Sequence, residues 1–266
     1  MRAVWRIVVL ILLSALSLQL YFAARISLMR WVAPQSTTFQ RSEMTRLLRE
    51  QGQIVWSQDW RPGEAISDNL RRAVIASEDA NFADHCGVEW DALQSAWKKN
   101  SAAQAKADKA RMQAQERYAR TVARAQKRGR AIPPAPTAAT AATPKIIGGS
   151  TITQQLAKNL FLSSERSLLR KGEEFAITFM LEGLLGKERI LNIYLNNVEW
   201  GEGVFGAQAA ARHYFQADAA QLGTGQAARL AVMLPAPKRF EKQPRSGYIM
   251  SRSGTIAARM GSAELP

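Results

Sequence analysis

The chain has one cysteine and two histidines among 266 residues. Cys86 alone excludes an intramolecular disulfide framework. With only His85 and His213 beside it, no zinc-ligand spacing exists. Acids are scarce as well: 22 Asp and Glu stand against 36 Lys and Arg, a net charge of +14. A surplus of that size favours an anionic partner, whether nucleic acid, an anionic membrane surface or a phosphorylated substrate. No run alternates with the period of a β-strand, so the body is expected to be all-α. There is no P-loop, no dinucleotide GxGxxG after a strand and no DxD to hold a nucleotide sugar through a metal. A lone Ser95-x-x-Lys98 has the spacing of penicillin-binding nucleophiles, but no SDN-like or KTG-like partner follows and no room remains for that domain. The length allows one ordinary domain with additions.

What is present begins with an apolar run. Ile7 to Ala24 carries no charge and is bounded by Arg6 and Arg25. At about 1.5 Å per residue it nearly spans a hydrocarbon core. A signal anchor and a cleaved signal peptide compete for this segment. The length of the run and the lack of a small-x-small cleavage site favour the anchor. We assign residues 1–31 to a cytoplasmic stub and transmembrane anchor, and 32–266 to the body. Arg2 and Arg6 favour a cytoplasmic N-terminus, against which Arg25 and Arg30 weigh. The body then lies outside the cytoplasm, beside a membrane and away from nucleic acid.

Within the body, residues 32 to 66 give weak signals. Ser67 or Asp68 can cap a helix running through Ala76, and Trp90 to Trp97 reads as another helical stretch. Residues 98 to 130 then carry eleven Lys or Arg against Asp108 and Glu116, and 131 to 145 form a Pro/Ala/Thr tether. This basic, Ala/Pro-rich insert at about 100–146 is expected to be a solvated, partly helical arm and a flexible linker. Helices resume at Thr151–Phe161, Leu168–Leu185, Lys187–Asn197, Val204–Tyr214 and Thr224–Leu234.

Three polar clusters interrupt these apolar patterns. Glu78-Asp79 ends an apolar helix and is followed by Phe82, His85 and Gly87. A carboxylate next to another, among apolar residues, holds its proton more readily and suits a general base. The ordinary alternative is a solvated helix end, although acids there oppose the dipole. The second cluster is Gly148-Gly149-Ser150-Thr151 opening a helix with Gln154, Gln155, Lys158 and Asn159. Its glycines admit unusual backbone conformations, Thr151-x-x-Gln154 fits a capping box, and free amides at that N-terminus suit an anionic oxygen. A well-capped turn explains the glycines and threonines, but not the four polar residues on a short apolar helix. The third is Arg166, Arg170 and Lys171 around Glu174. A surface ion pair is the ordinary reading, yet three cations around one carboxylate leave a positive excess that suits diphosphate.

Together these clusters resemble the peptidoglycan glycosyltransferases of glycosyltransferase family 51, in particular those without a penicillin-binding domain. EDxxFxxHxG stands at Glu78–Gly87, GGSTITQQ with a Lys-Asn pair at Gly148–Asn159, and RKxxE at Arg170–Glu174. KxxILxxYLN follows at Lys187–Asn196, and Ala-Ala-x-x-Tyr-Phe at Ala210–Phe215. The resemblance implies a lysozyme-like, two-lobed helical fold and a lipid II substrate, extended into β-1,4 glycan strands with inversion and release of undecaprenyl diphosphate. It assigns catalysis to Glu78, as base, and to Glu174, which organises the surrounding cations or a metal. Asp79, Ser150, Thr151, Gln155, Lys158, Asn159, Arg166, Arg170 and Lys171 become substrate-binding residues. No cofactor is expected to be required, a divalent Mg or Mn ion at the diphosphate being the one left open. The implied partners are lipid II, the growing strand, the bacterial inner membrane and wall-synthesis or cell-division proteins. The chain would cross that membrane once, with its catalytic domain on the periplasmic side.

Chemistry separates this reading from a hydrolytic muramidase. A glycosidase must protonate a poor alkoxide leaving group, whereas diphosphate departs as a stable anion and needs positive charge in place beforehand. A glutamate embedded in Arg and Lys is spoiled as a proton donor. A non-enzymatic membrane scaffold would leave all three clusters idle. One departure from the family pattern is Gln226, where an acid usually follows the last motif's threonine.

Overall fold

A computed structural model describes residues 1–129, 131, 134, 148–163, 165 and 167–266. These divide into two compact units, Met1–Val88 with Ser150–Pro266, and Glu89–Gly149.

The first unit opens with α1 (Arg2–Leu28), long and apolar enough to cross a membrane. Most of its surface is exposed, but its last turns are not bare: Phe22, Ile26 and Met29 join the hydrophobic core. Gln19 Nε2 donates to Glu173 Oε1 at 2.7 Å, and Arg189 Nε donates to the Met29 carbonyl at 2.7 Å. The apolar helix is thereby bolted to the body. Next comes α2 (Thr38–Gln51), a helix the weak signals of residues 32–66 concealed. Its start was written in Thr37 and Gln40, which form a capping box.

α3 (Asp68–Glu78) is capped by Ser67 and runs two residues past the expected Ala76. It buries Leu70, Ala73, Val74 and Ile75 on one face, the three- and four-residue spacing of an amphipathic helix. α5 (Ile152–Phe161), α6 (Leu168–Leu184) and α7 (Lys187–Asn197) follow the expected bounds closely, and α5 packs on both α6 and α7. The expected helix from Val204 is corrected. Val204–Phe205 is a strand, β3, pairing in parallel with β1 (Ser57–Gln58) and antiparallel with β2 (Glu199–Gly201). The helix there, α8 (Ala207–Phe215), begins only after Gly206. Gly206 has φ +82°, and a Cβ on it would meet the Asn196 carbonyl at 2.8 Å, so the chain must turn there before a helix can start. These segments of two or three residues leave the unit predominantly helical. α9 (Thr224–Met233), α10 (Pro237–Phe240) and α11 (Gly247–Arg259) complete it, with α9 packed against α3 and α11.

The second unit is dominated by one helix, α4 (Trp90–Lys127), of 38 residues. The expected separation into a helix ending at Trp97 and a partly helical arm is therefore corrected. Alanine and glutamine at most uncharged positions carry high helix propensity, and no Pro or Gly interrupts the run. The tether at 131–145 lies outside the described residues, apart from Ala131 and Pro134.

Candidate active site

Glu78 closes α3, and Asp79 leaves the helix with φ −162° and ψ +73°. That break sends two adjacent carboxylates in different directions. The Asp79 side chain is fully buried and both its oxygens are taken. Oδ1 lies 2.7 Å from His85 Nε2, and Oδ2 accepts the Ile152 backbone N–H at 3.0 Å. Since the Gly87 N–H donates to His85 Nδ1 at 3.1 Å, the ring proton sits on Nε2 and donates to Asp79.

Gly87 is required twice over. Its φ is +83°, and a Cβ would meet Thr178 Cγ2 at 2.7 Å and Glu182 Cγ at 2.8 Å. In that conformation its carbonyl accepts from the Thr151 hydroxyl at 2.6 Å. Thr151 also caps α5, in a capping box with Gln154. The first two motifs are thus tied together at the start of α5. Two of the amides expected to receive a substrate anion are occupied: Asp79 takes that of Ile152 and Thr151 takes that of Gln154. The anion at this helix N-terminus is the protein's own.

The knot places Gln155 against Glu78. Gln155 Nε2 donates to Glu78 Oε2 at 2.9 Å, while its Oε1 accepts from the Tyr194 hydroxyl of α7 at 2.9 Å. Tyr194 is buried in the core, so the Gln155 amide has a fixed orientation with its N–H toward Glu78. Burial pushes the Glu78 carboxyl above its ordinary pKa, the hydrogen bonds from Gln155 and Ser77 oppose that rise, and the Asp79 charge adds to it. Of the two expected causes, apolar burial is the largest influence and the neighbouring carboxylate the smallest of the four. Glu78 still keeps some exposure, as a wall residue of a cleft does.

One turn along α5 stands Lys158. Its side chain reaches solvent, yet protein atoms crowd its ammonium. That crowding lowers its pKa, with Glu174 opposing and Arg170 and Lys171 reinforcing the shift. These partners lie on the first turns of α6, capped by Ser167, whose hydroxyl accepts the Arg170 N–H. Glu174 is buried, and its two oxygens accept separately: Oε2 from Arg170 at 3.1 Å, Oε1 from Lys171. The buried Nε of Arg170 has no partner among the described residues. Three cations around one carboxylate leave a positive excess, and one of them keeps a free donor.

A family model described as Transglycosylase matches residues 46–110 and 130–261. The chain belongs to the transglycosylase family. Among its relatives, a biosynthetic peptidoglycan transglycosylase of Cupriavidus pinatubonensis is 47% identical, covering 96% of this chain and 88% of that one. One from Bordetella pertussis is 43% identical across 100% of this chain and 95% of its own. One from Janthinobacterium is 47% identical over 98% and 96%.

The residues picked out as the family's site fall into three groups in this transglycosylase. Glu78, Gln155, Lys158, Arg170, Lys171 and Glu174 come together along α5 and the start of α6. Asp79 and Thr151, expected as substrate contacts, are buried and held by protein partners. Ser150 is exposed just ahead of α5 and Asn159 is partly exposed on it. Arg166 lies outside the described residues. Gly149 is needed for space, since a Cβ would lie 3.0 Å from that of Ala96. Gln226 supplies half of a capping interaction, accepting the Gly223 N–H at 3.1 Å. In the sequence Tyr194 stands only as the tyrosine of the KxxILxxYLN motif. Its part in orienting Gln155 has no local signal, because Glu78, Gln155 and Tyr194 are far apart in the chain.

Among the described residues no three His, Cys, Asp or Glu side chains gather to hold a metal ion. Glu174, the acid nearest the cations, has both oxygens engaged by them. This donor set does not fit a protein-held divalent ion.

Proposed function

We propose that the chain polymerises lipid II into β-1,4 glycan strands, with Glu78 as general base and Lys158, Arg170 and Lys171 as the cradle of the donor diphosphate. The observation that carries this reading is the pairing of unlike sites along one helix. Gln155 of α5 holds a desolvated carboxylate, and Lys158, about 4.5 Å further along the axis, faces a cation cluster. A carboxylate with a raised pKa accepts a hydroxyl proton near neutral pH. A positive excess stabilises a departing diphosphate without any proton donor.

In this mechanism Glu78 takes the proton of the acceptor sugar's 4-hydroxyl. The oxygen attacks the anomeric carbon of the donor from the face opposite its diphosphate, forming the glycosidic bond. The bond from that carbon to the diphosphate oxygen breaks, its electron pair leaves with undecaprenyl diphosphate, and configuration inverts. The Lys158 and Lys171 ammoniums and the exposed part of the Arg170 guanidinium donate to phosphate oxygens, and Glu174 keeps Arg170 and Lys171 from spreading apart. Ser150 and Asn159 border the same cleft. No step passes through a metal ion.

α1 suits a substrate that never leaves the bilayer, and Arg2 and Arg6 support a cytoplasmic N-terminus with the body on the periplasmic face. The test is labelled lipid II incubated with detergent-solubilised full-length protein and with Glu78→Gln. Lysozyme-digestible polymer from wild type alone is the expected result. Equal polymer from both removes Glu78 from the chemistry. Cleavage of preformed glycan without polymer overturns the polymerase in favour of a muramidase.

A further inference from the structure

α4 takes no part in the chemistry above, and the family match omits its residues 111–127. At 3.6 residues per turn, Lys106, Lys109, Arg117, Arg120, Arg124 and Lys127 fall within about a quarter of its circumference. Trp90, Leu93, Trp97, Met112 and Val122 fall on the opposite side, within about 100°. Trp90, Trp97 and Met112 are among the most exposed large apolar side chains of the protein. Two charges interrupt the apolar side, Asp108 and Arg111, and at 3.9 Å they offset each other. Alanine and glutamine fill most of the rest, which keeps net hydrophobicity low while the two faces differ sharply.

We infer that α4 is an interfacial helix. It lies along the anionic surface of the bilayer that α1 enters, its tryptophan side at the boundary of headgroups and acyl chains, its lysines and arginines reaching lipid phosphates. Low net hydrophobicity, a cationic face and an opposed Trp-bearing face are what such a helix requires. An acidic protein partner would account for the cations, but not for tryptophans and a methionine exposed in line on the other side. A merely solvated arm would account for neither. α1 already tethers the chain to a membrane, so each weak lipid contact acts at high effective concentration. Lys and Arg near an anionic surface then add their attractions.

The test uses full-length protein in lipid vesicles, in a Cys86→Ser background. An environment-sensitive fluorophore is attached at Met112→Cys on the apolar side or, separately, at Lys109→Cys on the cationic side. Vesicles are phosphatidylcholine alone or with phosphatidylglycerol, each with a headgroup-proximal quencher lipid. With phosphatidylglycerol, the Met112→Cys label should emit to the blue and be quenched several-fold more than the Lys109→Cys label. Raising salt to about 0.5 M, where screening acts within a few ångströms, should remove at least half of that quenching. Changing Lys106, Lys109, Arg117, Arg120 and Arg124 to Gln in the Met112→Cys protein should abolish the dependence on phosphatidylglycerol. A label that stays solvent-like in every vesicle overturns the proposal, as does quenching indifferent to lipid charge. A label that ignores lipid but shifts on adding polyglutamate also overturns it and assigns the surface to an acidic protein.

Discussion

Glu78 and Glu174 are the same residue type, one hydrogen-bonded to α5 and the other on a helix packed against it, and their surroundings differ in almost every respect. Glu78 has one amide donor, a hydroxyl 3.5 Å away and apolar burial, with no cation on its carboxylate among the described residues. Glu174 is gripped by an arginine and a lysine. The first environment penalises charge and makes a base; the second fixes charge and makes a clamp for cations. A glycosidase would need a proton donor in the second position. Here that position is built to keep its cations in place for a leaving group that is already an anion.

The largest effect should come from removing the base. Glu78→Gln should lower polymerisation about a thousandfold, with thermal stability unchanged or raised, since a desolvated carboxylate is gone. A melting curve beside the lipid II assay separates that from misfolding. Removing the clamp should act differently. Glu174→Gln leaves Arg170 and Lys171 repelling each other, and should destabilise the protein by about 2 kcal/mol because both cations are partly exposed. KM for lipid II should rise more than kcat falls, as a cradle that no longer converges binds the donor poorly.

How far could this contrast be read without coordinates? The motifs picked out both glutamates and most of the cradle, because each motif is a contiguous stretch whose residue types carry their chemistry on their face. The helical body was legible for the same reason, through the apolar stripes of α3 and α5 to α7. What escaped depends on pairings distant in the chain. Asp79 reads as a substrate contact in its motif; only the fold shows its oxygens satisfied by His85 and Ile152. Thr151 looked like a cleft residue and is tied to Gly87. α2 had a readable capping box at Thr37 and Gln40 that weak hydrophobic patterning obscured. β3 is two residues long, too short for any alternation to show. The unbroken length of α4 was concealed by taking its charge to mean an arm only partly helical, although its alanines favour helix throughout.

Smaller perturbations sharpen the same comparison. Tyr194→Phe removes the hydroxyl that orients Gln155, and one lost hydrogen bond corresponds to a threefold to tenfold drop in kcat, about 1 kcal/mol. The Gln155 bond lowers the pKa of Glu78, so weakening it should move the acidic limb of the pH–rate profile upward. A scaffold defect without that role would lower the rate and leave the limb where it was.

The smallest effect lies outside the site. Glu199 is buried beside β3 and shares Lys238 with Glu43. Burial pushes its carboxyl up to about 7, against the Lys238 charge. The folded pKa exceeds the unfolded value near 4.5. Glu199 therefore adds stability below about pH 4.5 that is lost as pH rises toward 7. Glu199→Gln should remove that component of the decline and raise Tm at pH 8 by about 2–4 °C, with polymerisation unaffected. Burial alone, without a neighbouring cleft and cradle, then carries no catalysis.

The most direct test of the division between base and cradle is the pH dependence of kcat/KM for lipid II from pH 4.5 to 8.5. One ascending limb, set above the ordinary glutamate range and absent from Glu78→Gln, with no descending limb below pH 8, is the predicted profile. A bell with its descending limb in the carboxylic acid range, retained in Lys158→Gln and lost in Glu174→Gln, would contradict it. Glu174 would then be a proton donor to the leaving group and the cradle a misreading.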